Sequence, residues 1–288
     1  MKLPLIIIAV LAVIVAVVVL LMYRAFTIVK TETNGIKLAS LDDIPKGYWA
    51  KLAEKKIFFG HKSVGYNIID GIKDIIKEHD YISLNIVETT DPADFNQSIF
   101  AHAQVGNNTD PISKISEFKN FIEVTMGNKI DIALFKFCYV DVNHDSDIHN
   151  IFDKYTGVMN ELADQYPHTE FMHLTVPICA VSGGTKKTAK FFVKSLIGRP
   201  GVLDDNMKRE HYNALLNKTY ADRGNVFDLA LIESVNPDGF RCSMKKNGDK
   251  VFVMAPEYTS DGGHLNIVGR KIIAEQFLIS LARVANKQ

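Results

Sequence analysis

Hydrophobic positions follow two regimes along this chain. From Leu3 to Met22 no residue is charged and nearly every one is Leu, Ile, Val or Ala. About twenty such residues at roughly 1.5 Å each match the hydrocarbon core of a bilayer. The run is longer than the apolar core of a secretory signal, and it ends in Leu21-Met22-Tyr23-Arg24 with no Ala-x-Ala pattern. Residues 1–26 therefore read as an uncleaved, single-pass membrane anchor, with a cleaved signal as the rival. Residues 27–50 are polar, lack strong periodicity and read as a tether. Residues 51–288 are long enough for one α/β domain with a substantial core.

Within that domain, short apolar runs alternate with helical periodicity. Lys56–Phe59 reads as a buried strand, and Val64, Ile68, Ile69, Ile72, Ile75 and Ile76 then recur at helical spacing. Ser83–Val87 is a second strand, followed by a polar stretch from Thr89 to Asn108. Asp110 or Ser113 caps the next helix, with Pro111 in its first turn. Ile130–Val140 has the continuous apolar character of a strand buried on both faces. A helix over Ile148–Gln165, a strand over Glu170–Val176 and helical stretches up to Tyr220 follow. Val226–Leu229 reads as the last core strand. Arg241–Met254 reads as a hairpin turning at Asn247-Gly248-Asp249, and Ile267 to about Val284 as the final helix. The alternation predicts a three-layer α/β/α sandwich with a mostly parallel sheet. Such sheets carry their sites at the carboxyl ends of the strands.

Charge narrows the partners. The chain has 33 basic and 33 acidic residues, and residues 1–26 hold two of the basic ones and no acidic one, which leaves the rest at a net −2. With no basic field, nucleic acid is not an expected partner. Three scattered cysteines, Cys138, Cys179 and Cys242, suit neither a disulfide framework nor a zinc site. Asp141, His144, Asp145, Asp147 and His149 cluster in sequence but read as a solvated loop and helix start. Gly183-Gly184-Thr185-Lys186 lacks phosphate-loop spacing and reads as a loop. No metal or cofactor is expected. Counting Arg24, Lys30 and Lys37 against Lys2 leans toward a cytoplasmic domain. A very short N-terminal tail bearing Lys2 is instead that of an anchor with its N-terminus inside, and an extracytoplasmic domain is the expectation.

Candidate chemistry sits at opposite ends of the domain. Gly60-His61-Lys62-Ser63 breaks the first strand and delivers a serine to a helix N-terminus, where free backbone N–H groups suit an oxyanion. Taken alone, Ser63 is also an ordinary helix cap. Ser260-Asp261-Gly262-Gly263-His264-Leu265-Asn266 places a carboxylate and an imidazole three residues apart on a glycine-rich turn. Serine, histidine and aspartate are the set that nucleophilic acyl transfer needs. His61 either lines the site or packs under Ser63. Lys136, inside an apolar strand, either reaches the strand end or pairs with a carboxylate.

Gly-x-x-Ser after the first strand and Asp-x-x-His-Leu-Asn before the last helix resemble the SGNH (GDSL-type) hydrolase superfamily, from about Ile57 to Leu281. The resemblance implies that Ser63 is the nucleophile, His264 the general base and Asp261 its orienting carboxylate. It places Gly106 in the second block, as a backbone oxyanion donor. The third block, Gly-x-Asn-Asp, falls on Cys138-Tyr139-Val140-Asp141, where Val140 replaces the asparagine donor, and Lys62 stands where the GDS motif has aspartate. Asn107 and Asn108 are the nearest substitute donors in sequence. The expected activity is hydrolysis of small acyl esters, on acylated carbohydrate at a surface. An acyltransferase using the same triad, and a catalytically silent binding domain, are the alternatives.

Overall fold

The computed structural model describes residues 7–10, 13, 29–31, 35–181 and 200–287. Its centre is a six-stranded, wholly parallel sheet. The strands are β2 (Lys56–His61), β3 (Ile86–Glu88), β4 (Ile99–Gln104), β5 (Ile132–Phe135), β6 (Glu170–Leu174) and β7 (Val226–Phe227), in spatial order β3-β4-β2-β5-β6-β7. β2 lies in the middle and is buried from Ile57 to His61, which explains its unbroken apolar run.

Two apolar layers flank the sheet. On one face α1 (Lys46–Ala53), α2 (Val64–Glu78), α6 (Leu229–Ser234) and α7 (Ile267–Ala285) bury Ile68, Ile72, Phe277 and Leu281 with the β2 side chains Ile57 and Phe59. On the other face α3 (Pro111–Asn120), α4 (Ile148–Gln165) and α5 (Val202–Tyr220) cover Phe58, Ala133 and Phe135. The expected three-layer α/β/α architecture is therefore the one observed. α2 and α7 approach closely at Gly71, where a Cβ would lie 2.4 Å from the Arg270 carbonyl oxygen. This contact ties the helix that follows Ser63 to the helix that follows His264.

Several local expectations need correction. The polar stretch before Asn108 contains β4, an interior strand whose His102 is buried. The apolar run to Val140 stops as a strand at Phe135, because Asp141 folds the chain back and accepts the Cys138 N–H at 2.6 Å. Leu229 begins α6 rather than ending a strand. Residues 27–50 do not form a free tether across their length: Leu41, Ile44 and Trp49 are buried, and β1 (Val29–Thr31) joins a small antiparallel sheet. Its other members are β8 (Arg241–Lys246) and β9 (Asp249–Phe252), the expected hairpin, whose turn residues Asn247 and Gly248 have φ of 54° and 95°. The anchor expected at residues 1–26 lies almost wholly outside the described residues, as does Gly183–Lys186. Among the described residues no helix is long and apolar enough to cross a membrane.

Candidate active site

The site grows from the end of β2. At Gly60 a Cβ would lie 2.6 Å from Val105 and 3.1 Å from Phe135, so only glycine lets β4 and β5 close around the strand end. Three residues on, Ser63 has φ 54° and ψ −111°. A non-glycine residue held there costs about 1–3 kcal/mol, a strain that persists only where the surroundings impose it. Ser63 occupies the cap position of α2 yet makes no capping hydrogen bond. Its Oγ lies instead 2.7 Å from His264 Nε2, across 201 residues of chain.

His264 is held by its own turn. The Asp261 carboxylate accepts the backbone N–H of Gly263 at 2.9 Å and of His264 at 2.8 Å through one oxygen, and takes His264 Nδ1 at 2.7 Å on the other. Gly262 takes φ 93°, and its carbonyl accepts the Ala180 N–H at 2.9 Å. With Nδ1–H given to Asp261, Nε2 keeps its lone pair for the Ser63 hydroxyl. Partial burial works to raise the Asp261 pKa. The two backbone N–H groups and the imidazole outweigh it and hold the carboxyl below its usual range. The His264 and Asp261 side chains are 44% and 49% exposed, so water reaches the pair directly.

Three supporting residues are not among the sequence candidates. Asn67, one turn along α2 from Ser63, accepts the Leu265 N–H at 3.2 Å and clips the histidine turn to the serine helix. The Tyr139 ring stands edge-on to His264, with centroids 5.8 Å apart. A Cβ on Gly263 would lie 2.8 Å from that ring, which accounts for the second glycine of the turn. Arg209 places Tyr139, donating from Nε to its carbonyl at 2.9 Å with its guanidinium 5.8 Å from the ring centroid. Asn67 has only its i, i+4 spacing from Ser63 as a hint and Tyr139 only its place within the third block, while Arg209 has none.

The expected oxyanion residues have other employments. Gly106 N–H donates to the Glu117 carboxylate at 2.9 Å, and its glycine character follows from φ 60° and close packing on Lys114. Asn107 N–H donates to Ser113 Oγ at 2.8 Å, and the Asn108 side-chain oxygen accepts Lys114 Nζ at 3.0 Å. The Gly106 N–H is thus not free as a donor here. The Ser63 N–H, in contrast, has no partner among the described residues. His61 resolves to packing: it is 1% exposed, lies under Gly65, and shares a 3.1 Å contact between its Nε2 and His102 Nδ1. Burial, with Lys136 and His102 nearby, lowers its pKa to about 2, so it stays neutral.

Asp141 is structural. It is buried, pairs with Lys114 Nζ at 2.5 Å and accepts the N–H groups of Cys138 and Thr109, which joins the two loops beside Ser63. His144 pairs with Asp205, and Asp147 caps α4. Among the described residues no group of three or more His, Cys, Asp or Glu is placed to hold a metal ion. Lys136 is fully buried and donates to the Phe137 carbonyl at 3.1 Å; burial lowers its pKa. Nearby, burial raises Glu233 to about 8.

What this defines is a serine–histidine–aspartate relay at the carboxyl ends of a parallel α/β/α sheet. No family model matches the chain, and no curated protein does. Solved structures of similar fold include a Streptococcus pneumonia protein described as a platelet activating factor, at 15% identity over 84% of this chain and 92% of that one, TM-score 0.45. A protein assigned to the G-D-S-L lipolytic family, from Desulfitobacterium hafniense DCB-2, is 10% identical over 80% and 99%, TM-score 0.43. The periplasmic domain of a lipopolysaccharide acetyltransferase from Salmonella ser. Paratyphi A is 14% identical over 78% and 83%, TM-score 0.42. Likenesses this distant do not bear on what the site does; its own geometry does.

Proposed function

We propose that the chain is a membrane-anchored serine esterase acting on small acyl esters carried by surface carbohydrate. One observation carries the reading: the unbroken Ser63–His264–Asp261 relay, 2.7 Å at each step, built on a strained serine. His264 Nε2 takes the Ser63 proton as Oγ attacks the ester carbonyl. The Ser63 N–H at the α2 N-terminus donates to the resulting oxyanion. Collapse expels the alcohol, which takes the proton back from His264, and leaves an acyl-serine. Water then repeats the cycle from the open side, giving the acid and free serine. Asp261 fixes the imidazole tautomer and stays ionised throughout. Residues 1–26 serve as the anchor, with the domain on the extracytoplasmic side.

A second reading is supported by the openness of the triad: a sugar hydroxyl admitted in place of water makes the same intermediate a transferase step. Val140 in place of the asparagine donor, with Gly106 engaged elsewhere, is what favours a silent binding domain. Fluorophosphonate labelling decides between catalysis and silence. Labelling of Ser63, lost in Ser63→Ala, is expected; an unlabelled native protein defeats the enzyme reading. Turnover of an acetyl ester in water alone separates esterase from transferase.

A further inference from the structure

We propose that the catalytic end of the domain faces the bilayer holding its anchor, and that its substrates are esters on carriers seated in that bilayer. This rests on the anchor and triad proposed above. The path of the chain carries it. β1 runs antiparallel to β8, with Val29 opposite Ser243 and Thr31 opposite Arg241. Moving back along β1 toward the anchor is therefore moving forward along β8, toward the Asn247-Gly248 turn. That end of the hairpin meets the start of α5, where Lys246 is ion-paired with Asp204. α5 starts at the catalytic end of the sheet: Asp205 holds the His144 backbone and ring, in the loop beyond β5, at 3.0 and 2.7 Å. The chain from the anchor thus enters the domain on its catalytic side.

The leash is also short. From Met22, the last residue of the apolar run, to Val29 the fully extended chain spans at most roughly 25 Å. A domain of this size is roughly 45 Å across, from its expected radius of gyration. The far end does not reach the membrane on such a leash.

Exposed apolar residues agree. Met207, Ile267 and Val268 are 38%, 73% and 49% exposed. Ile267 and Val268 open α7 directly after the His264 turn, and Met207 lies two residues past Asp205. Lys245 and Lys250 are exposed on the hairpin alongside. Exposed apolar side chains at the starts of α5 and α7, one on each face of the sheet, together with the hairpin lysines suit the boundary between acyl chains and anionic headgroups. Val124, 75% exposed, lies past α3 at the opposite end of the sheet and serves as a control.

The full chain is inserted into phosphatidylcholine–phosphatidylglycerol vesicles carrying a headgroup-linked quencher, with a fluorophore on Val268→Cys or Val124→Cys. The native cysteines are buried. Quenching at 268 but not at 124 is expected. Equal or reversed quenching, or a chain that does not float with vesicles, overturns the docking. Soluble fluorophosphonate in the same vesicles reads the hydrolase separately: labelled Ser63 with 268 unquenched sinks only the docking, and inert Ser63 with 268 quenched sinks the hydrolase and its substrates. Turnover is then compared for one ester held in the vesicle or free in solution. The vesicle ester is offered as a phospholipid acyl chain and as an acetylated glycolipid, which separates the two carriers. Tethering predicts a preference of on the order of 10²-fold for a vesicle-held ester; no preference for either carrier overturns the substrate class.

Discussion

The strain at Ser63 makes a prediction that needs no substrate. Replacing Ser63 by alanine or by glycine removes the same hydroxyl and the same 2.7 Å bond to His264, so that loss cancels between the variants. They differ in the backbone. Alanine keeps a Cβ at φ 54°, ψ −111°, at a cost of about 1–3 kcal/mol, whereas glycine adopts the conformation freely. Glycine gives back about 0.4–1 kcal/mol through the greater freedom of the unfolded chain. The glycine variant is therefore expected to be the more stable by about 0.5–2 kcal/mol. For a domain of this size each kcal/mol moves Tm by about 2–4 °C, so the gap falls between about 1 and 8 °C. Thermal unfolding of both full-length variants in the same detergent measures it. An alanine variant as stable as the glycine one, or more so, refutes a strained turn as the device that presents the hydroxyl.

Three further outcomes are expected. Asp261→Asn should lower kcat on the order of 10³–10⁴-fold, by analogy with a triad whose histidine loses its orienting carboxylate; a loss under tenfold on a soluble acetyl ester removes Asp261 from that role. Glu233→Gln should change the pH dependence of stability. Burial raises the folded pKa of Glu233 to about 8 from an unfolded value of about 4.3, so its contribution is complete below that lower value and is lost as pH rises to about 8. The amide still accepts the Ile178 N–H now bonded at 2.8 Å, so urea melts should show the variant gaining on the native chain from pH 5 to pH 8; a constant difference contradicts a neutral buried carboxyl. Gly71→Ala should cost about 1–3 kcal/mol by forcing a Cβ against the Arg270 carbonyl and Ala274. It should also slow fluorophosphonate labelling, since α2 and α7 follow Ser63 and His264; unchanged stability and labelling would contradict the close helix contact.

The elements that pattern alone located, and those it missed, divide by environment. β2, α2, α4 and α7 announce themselves because each buries a continuous or periodic apolar face. β4 does not, although it lies inside the sheet, because His102 and Gln104 interrupt its apolar residues; His102 is tolerated there since burial keeps it neutral and His61 meets it across the strands. Residues 27–50 read as a tether for a related reason: Leu41, Ile44 and Trp49 are too sparse to form a period, and their burial depends on a surface made largely by α7.

Sequence by itself determined the α/β class, the serine at a strand-to-helix break, and the aspartate–histidine turn, because each is a local matter of periodicity and glycine placement. Tertiary structure alone decided that those segments meet, that Asn67 and Tyr139 brace the histidine, and that Gly106 spends its N–H on Glu117. The contacts to the histidine turn join chain positions that β-α-β crossovers bring together, and the Gly106 contact folds a loop onto the helix that follows it. No run of neighbouring residues encodes which of several donors a distant acceptor will capture.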